Sequence, residues 1–220
     1  QAINANNLPL AEKHLAKASS INANSKGIEA LKKRIANIRS DQGLAQIQRS
    51  IENAASNDNW QEVSLLSSSG LSKYPNNKSL LSAQQQANAI LNASKTLQQY
   101  LSRPGRLADT NIRENAKQAM LDSFSLSIHS ASLQEQIADL GELFDTYNSP
   151  VEVTIQSDEK TYIIVVGVGH VGKHASKSIS LTPGNYVLEG KREGYKSKRL
   201  PFTVEANTPL ALSLVCDQKI

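Results

Sequence analysis

The spacing of apolar residues changes once along the chain, and this change limits the folds that the chain can adopt. Before Tyr147–Pro150, apolar residues recur every three or four positions, as between Ile28 and Ile38. After it they alternate with polar residues, as between Val151 and Ile155. The first spacing is that of a helix with one buried face, and the second is that of a strand. The sequence therefore predicts an α+β chain of two domains, helical over residues 1–148 and β over residues 149–220.

About seven amphipathic helices fit into the first 147 residues. Polar breaks are expected between them at Asn22–Asn24, Ser56–Asn59, Pro75–Asn77 and Arg103–Gly105. Breaks this short favour antiparallel packing of neighbouring helices.

The sequence of the helical region also contains an internal repeat. Leu10–Ile38 aligns with Val63–Leu91, so that in each copy a helix end is followed by an Asn-rich turn and a new helix. Leu44–Asn77 has the length of one 34-residue unit and resembles a tetratricopeptide repeat. The resemblance implies stacked helix pairs whose concave side binds a protein or peptide. The alternative is an ordinary helical bundle.

The apolar pattern after Pro150 predicts six or seven short strands. Turn signals separate them at Ser157–Lys160, Thr182–Asn185, Arg192–Gly194 and Glu205–Asn207. Short strands closely spaced along the chain predict a compact antiparallel β-sandwich.

Leu181–Tyr195 resembles the PEGA family of β-domains. A Pro-Gly turn at Pro183-Gly184 leads into a strand that contains Tyr186, and the pair Gly194-Tyr195 follows. We expect Gly184 to adopt a backbone conformation that other residues resist, and both tyrosines to pack under the loops. The resemblance implies a non-catalytic accessory module of bacterial envelope or surface proteins, and it carries no active site.

Gly167–Gly172 spells G-x-G-x-x-G directly after an apolar run, which is the pattern of a dinucleotide site. That site needs a helix starting at the last glycine and a second parallel strand. Lys173–Thr182 is polar, with Ile179 and Leu181 at strand spacing, and Pro183 stops it. We therefore interpret the glycines as part of a β-hairpin or bulge. A nucleotide sensor or enzyme using Gly167–Gly172 is the alternative.

No other catalytic or metal-binding pattern is complete. His170 and His174 would lie about 13 Å apart along a strand, and no further Cys or His completes a tetrahedral set nearby. Cys216 is interpreted as a small packed residue. We expect no enzyme activity, no cofactor and no metal.

Charge is modest overall but clustered in one place. The net charge is +4, too small to make nucleic acid the expected partner. The candidate interaction surface consists of Lys191, Arg192, Tyr195, Lys196, Lys198 and Arg199. Glu193 is the only acidic residue within this stretch. It either protects a sheet edge from aggregation or binds an acidic partner, which could be anionic lipid, a cell-wall polymer or a protein face.

These features together predict a non-catalytic interaction or scaffold protein, the extracytoplasmic part of a bacterial envelope assembly. Its partners would be a protein held by the helices and an acidic envelope component. The chain starts at Gln1 with no initiator Met, so we expect an excised piece with any membrane anchor upstream. A purely structural spacer is a further alternative, and a cytoplasmic location is also open.

Overall fold

The computed structural model describes residues 8–21 and 25–220 and confirms the α+β layout. Its helical elements are α1 (Leu8–Ile21), α2 (Lys26–Ser56), α3 (Trp60–Lys73), α4 (Lys78–Leu101), a 3₁₀ helix (Pro104–Ala108), α5 (Thr110–Ser127) and α6 (Ala131–Asn148). Its strands are β1 (Val151–Gln156), β2 (Tyr162–Val165), β3 (Gly169–Gly172), β4 (Ser176–Leu181), β5 (Gly184–Lys191), β6 (Lys198–Val204) and β7 (Leu210–Ser213). Backbone contacts divide the chain into two compact units, one ending at Leu91 and the other starting at Asn92.

Six α-helices and one 3₁₀ helix are described where about seven helices were predicted. Two apolar stripes, Ile28–Ile38 and Leu44–Ile51, lie on the single helix α2. Residues 39–43 between them contain one glycine and no proline, and one glycine costs a helix about 1 kcal/mol, too little to end it. The predicted breaks after α2, α3 and α4 are confirmed, whereas the break at Asn22–Asn24 lies outside the described residues.

Polar side chains in two of the connections cap the helices that follow. The Asn59 side chain accepts a hydrogen bond from the Glu62 N–H and donates one to the Glu62 carboxylate, which caps α3. The Asp109 carboxylate accepts from the N–H groups of Asn111 and Ile112 at the start of α5.

In the first unit, α2, α3 and α4 approach closely at a glycine. A Cβ atom added to Gly70 would lie 2.9 Å from Leu80 Cδ1 and 3.2 Å from Ile47 Cγ2. The Tyr74 hydroxyl, after the end of α3, donates to the Ser40 carbonyl on α2 at 2.9 Å. A small residue between large apolar ones therefore sets how near the three helices lie in this part of the unit.

The seven strands form two sheets, one in the order β4-β1-β7 and the other in the order β3-β2-β5-β6. Inward-facing residues of both sheets form one core: Val151, Val153, Ile155, Ile163, Val165, Val171, Leu181, Leu188, Val204 and Leu214. Neighbouring strands are antiparallel except β1 and β7, which run parallel. The predicted antiparallel sandwich is confirmed apart from this pair, which the sequence missed because alternation predicts a strand but not its neighbour.

Pro183-Gly184 carries the chain from one sheet to the other, since β4 and β5 pair with different strands. Tyr186 packs as expected: its hydroxyl donates to the Thr182 carbonyl at 2.9 Å, and its ring stacks on Phe202. The expected special conformation is not at Gly184, because Gly194 and not Gly184 has a positive φ, of 74°. The bend at Gly184 therefore does not require a glycine for its backbone angles.

Candidate functional site

The glycine-rich segment is the turn of a β-hairpin. The Val168 N–H donates to the Val165 carbonyl at 3.1 Å, and Gly167 between them has φ +79°. A glycine with positive φ at the third position of such a turn is typical of type II. Strand β3 ends at Gly172, and β4 starts at Ser176 without a helix between them. The hairpin interpretation is confirmed, and the segment lacks the helix N-terminus that holds a pyrophosphate in a dinucleotide site.

Neither histidine of this segment belongs to a metal cluster. His170 lies on β3 with its ring 5.9 Å from that of Tyr162, and His174 follows in the connection to β4. Within residues 8–21 and 25–220, no three His, Cys, Asp or Glu side chains are placed to hold a metal ion together.

Most cations of the predicted basic surface are paired with acidic side chains from outside residues 191–199. Glu189 lies 3.5 Å from Lys191 and 3.4 Å from Arg199, on the neighbouring strands β5 and β6. Asp217 lies 3.7 Å from Lys198. The stretch that looked almost purely basic is thus partly neutralised, and the exposed pair of Lys198 with Asp217 contributes little to stability.

Arg192 is held in place from two sides. Its guanidinium lies 3.0 Å from the Asp158 carboxylate and 3.9 Å from the centre of the Tyr195 ring. Asp158 also accepts the backbone N–H groups of Thr161 and Lys160 at 2.7 and 3.1 Å. The hydrogen bond from the Thr161 N–H, together with the Lys160 N–H and the charge of Arg192, holds the pKa of Asp158 below its usual value.

A shallow cleft of about 410 Å³ lies where the ends of the β2–β3 hairpin meet the end of β5. Its lining consists of Lys160, Tyr162, Lys173, Lys191, Arg192, Glu193 and Ser197. Four cations and one carboxylate line this space, which we name the basic cleft. Two of the cations also pair with carboxylates outside the lining, Lys191 with Glu189 and Arg192 with Asp158. In the part of the chain that the structure describes, Lys160 and Lys173 form no ion pair, so their charges remain available to a ligand.

The basic cleft contains only part of the predicted surface. Lys191 and Arg192 line it, and Tyr195 borders it by stacking on Arg192. The other three predicted residues, Lys196, Lys198 and Arg199, are not part of its lining.

Lys160 and Lys173 are the residues that sequence reasoning missed. Each flanks the hairpin segment, one just before β2 and one just after β3, and the pairing of Tyr162 with Lys191 brings that end of the hairpin to β5. Lysines on both sides of a predicted hairpin are the signal that could have indicated their proximity.

Comparisons with known proteins add little to this picture. No family model matches the sequence, and no curated protein matches it either. Among solved structures, the chain is similar to the surface layer protein SbsC, domains 1–6, with a TM-score of 0.25 and 11% identity. The match covers 91% of this chain and 41% of that one, and a TM-score this low carries no argument. No helix in the described residues is long and apolar enough to cross a bilayer.

Proposed function

We propose that the chain is a non-catalytic interaction protein of a bacterial cell envelope. In this proposal the β-sandwich of residues 149–220 binds an acidic envelope component through the basic cleft, and the helical region holds a protein partner. The envelope setting and the extracytoplasmic location depend on the PEGA resemblance, and the protein partner depends on the resemblance to tetratricopeptide repeats. Both resemblances stay predictions.

The basic cleft is the observation that best supports binding of an acidic partner. Four positive side chains surround one space, and only Glu193 opposes them in its lining. Arg192 is held by Asp158 and Tyr195, whereas Lys160 and Lys173 are exposed and form no ion pair with the described residues. One fixed arginine and two exposed lysines attract an anionic surface or polymer through their summed charge. They do not select a single small ligand of fixed shape.

The proposal is tested by titrating the chain with dextran sulfate and with neutral dextran. We expect saturable binding to the sulfated polymer only, weakening as salt is raised, because exposed charges are screened beyond about 10 Å at roughly 0.1 M salt. The double variant Lys160→Gln/Lys173→Gln should bind about 10-fold more weakly, since it removes the two positive charges of the basic cleft that form no ion pair in the described residues.

Lys78→Gln/Lys95→Gln is the matched control, because it removes the same charge from exposed positions of α4. It should bind nearly as tightly as the unmodified chain. An equal loss of affinity in both double variants would show that only net charge matters, and the basic cleft would then have no specific role.

A further inference from the structure

The tip of the β2–β3 hairpin is apolar and exposed. Val166 and Val168 flank Gly167 in the turn and are 44% and 56% exposed. Turns of this kind normally carry Gly, Asn, Asp or Ser, because these residues suit both the backbone angles and water. Two exposed valines at such a tip contribute little to the core, and this points to a contact outside the chain.

Apolar surface continues from the tip across the outer side of the sheet. A hollow of about 430 Å³ is lined by Val166 and by residues of β5 and β6. Val187 and Pro201 face each other there across the two strands, and the Val166 N–H donates to the Val187 carbonyl at 2.9 Å. The valine tip therefore lies at the border of an apolar patch.

The other end of the same hairpin is cationic. Lys160 and Lys173 flank it and line the basic cleft together with Lys191. Tyr162, also in that lining and 37% exposed, lies four residues before Val166, about 13 Å along an extended strand. The hairpin thus has an apolar tip, and three lysines surround its other end.

We propose that the β2–β3 hairpin docks on an anionic lipid surface. The valine tip enters the boundary between headgroups and acyl chains, and the lysines of the basic cleft remain among the headgroups. This inference rests on the proposed function and names its acidic component as a membrane. A soluble anionic polymer would use the lysines but leave the valines in water, whereas a lipid surface uses both.

The two contributions are expected to act together. Each Lys or Arg near an anionic leaflet strengthens binding by about 5-fold, and this gain disappears at high salt. Apolar insertion does not depend on salt but is small for two valines, so stable docking needs both signals.

The test is co-sedimentation of the full chain with vesicles of phosphatidylcholine alone or mixed with phosphatidylglycerol. We expect binding to the anionic vesicles and little to the zwitterionic ones. Lys160→Gln/Lys173→Gln should reduce binding about 30-fold, the effect of two charges. Val166→Ser/Val168→Ser should reduce it by about 10-fold.

Dextran sulfate separates the two proposals. Val166→Ser/Val168→Ser should bind this soluble polyanion as tightly as the unmodified chain, because its basic cleft is intact. Leu65→Ser/Leu121→Ser, which removes two exposed apolar side chains from α3 and α5, is the control and should bind anionic vesicles normally. Thermal unfolding checks that each variant is folded, and Val168→Ser alone replaces the double valine variant if that one unfolds.

Each outcome supports or overturns the inference. Normal vesicle binding by the valine variant, or binding to dextran sulfate or poly-glutamate but not to anionic vesicles, overturns membrane docking and leaves the proposed function standing. Binding to neither dextran sulfate nor vesicles overturns both proposals. Selective loss of vesicle binding by the valine variant supports docking through the hairpin.

Discussion

Asp158 organises the loop that leads into β2. Its carboxylate accepts two backbone N–H groups and pairs with Arg192, so a single side chain connects this loop to the end of β5. Because these interactions favour the charged form, the pKa of the folded carboxyl lies below 3.8, its usual value. The arrangement of the basic cleft therefore depends on a negative charge that strong acid removes.

Acid is expected to weaken this loop. The stabilisation from Asp158 is complete above its unfolded pKa and is lost as pH falls through the lower folded pKa. Asp158→Asn should be less stable than the unmodified chain at about pH 7, and this difference should shrink at about pH 3. Urea unfolding at several pH values measures it.

Asp217→Asn is the control, since Asp217 is exposed and pairs with Lys198 only at 3.7 Å. It should change the free energy of unfolding by less than about 0.5 kcal/mol. A difference between Asp158→Asn and the unmodified chain that stays constant with pH would contradict the assigned role of Asp158.

Sequence analysis identified two of the four cations that line the basic cleft. Lys191 and Arg192 stood out because they are neighbours in a charged stretch. Lys160 and Lys173 are separated from them along the chain and meet them only through strand pairing. The carboxylates of Asp158 and Asp217 were missed for the same reason, since local sequence shows charge but not which charges come together.

Strand β5 lies so close to the C-terminal segment that it needs a glycine. A Cβ atom at Gly190 would lie 3.0 Å from Thr161 Cγ2, 3.2 Å from Cys216 Sγ and 3.2 Å from Leu214 Cδ2. All three neighbours are buried, and the Thr161 hydroxyl accepts the Cys216 N–H at 3.1 Å. Little space remains there for a larger side chain.

Gly190→Ala is therefore expected to lower the free energy of unfolding by about 1–3 kcal/mol, the usual cost of overpacking a core. Denaturant unfolding measures the change. Gly169→Ala is the matched control in the same sheet, because no atom lies within 4 Å of its added Cβ. Equal stability of the two variants would show that the contacts around Gly190 relax without cost.

The sequence predicted whether a segment forms a helix or a strand better than it predicted which strands pair. The change from helix to strand falls between Asn148 and Val151, as the apolar period indicated. The hairpin at Gly167–Gly172 was also predicted correctly, because polar spacing and Pro183 left no room for a crossover helix. The parallel pairing of β1 with β7 was missed, since it joins strands more than 50 residues apart and no local pattern specifies it.

For the whole chain, the sandwich core lies entirely between Val151 and Leu214. The prediction that residues 149–220 form a domain of their own stays a prediction, because backbone contacts group residues 92–220 as one compact unit. A separate fragment of residues 149–220 should unfold cooperatively, because its apolar residues already cover one another.

Calorimetry and amide chemical-shift dispersion measure this for the fragment. A fragment of residues 92–220 is the comparison. If only the longer fragment unfolds cooperatively, the α5–α6 segment is part of the same folding unit and the predicted boundary at 148–149 is wrong.

The position of β7 beside β1 also affects how the β-sandwich folds during synthesis. The middle strand of the β4-β1-β7 sheet is the first of the domain to be synthesised, and its parallel neighbour is the last. β7 starts more than 50 residues after β1 ends, so the sheet is completed late in the synthesis of the domain. Until β7 has been synthesised, the nascent sandwich exposes one side of β1, and chaperones would find it there after the helices have already formed.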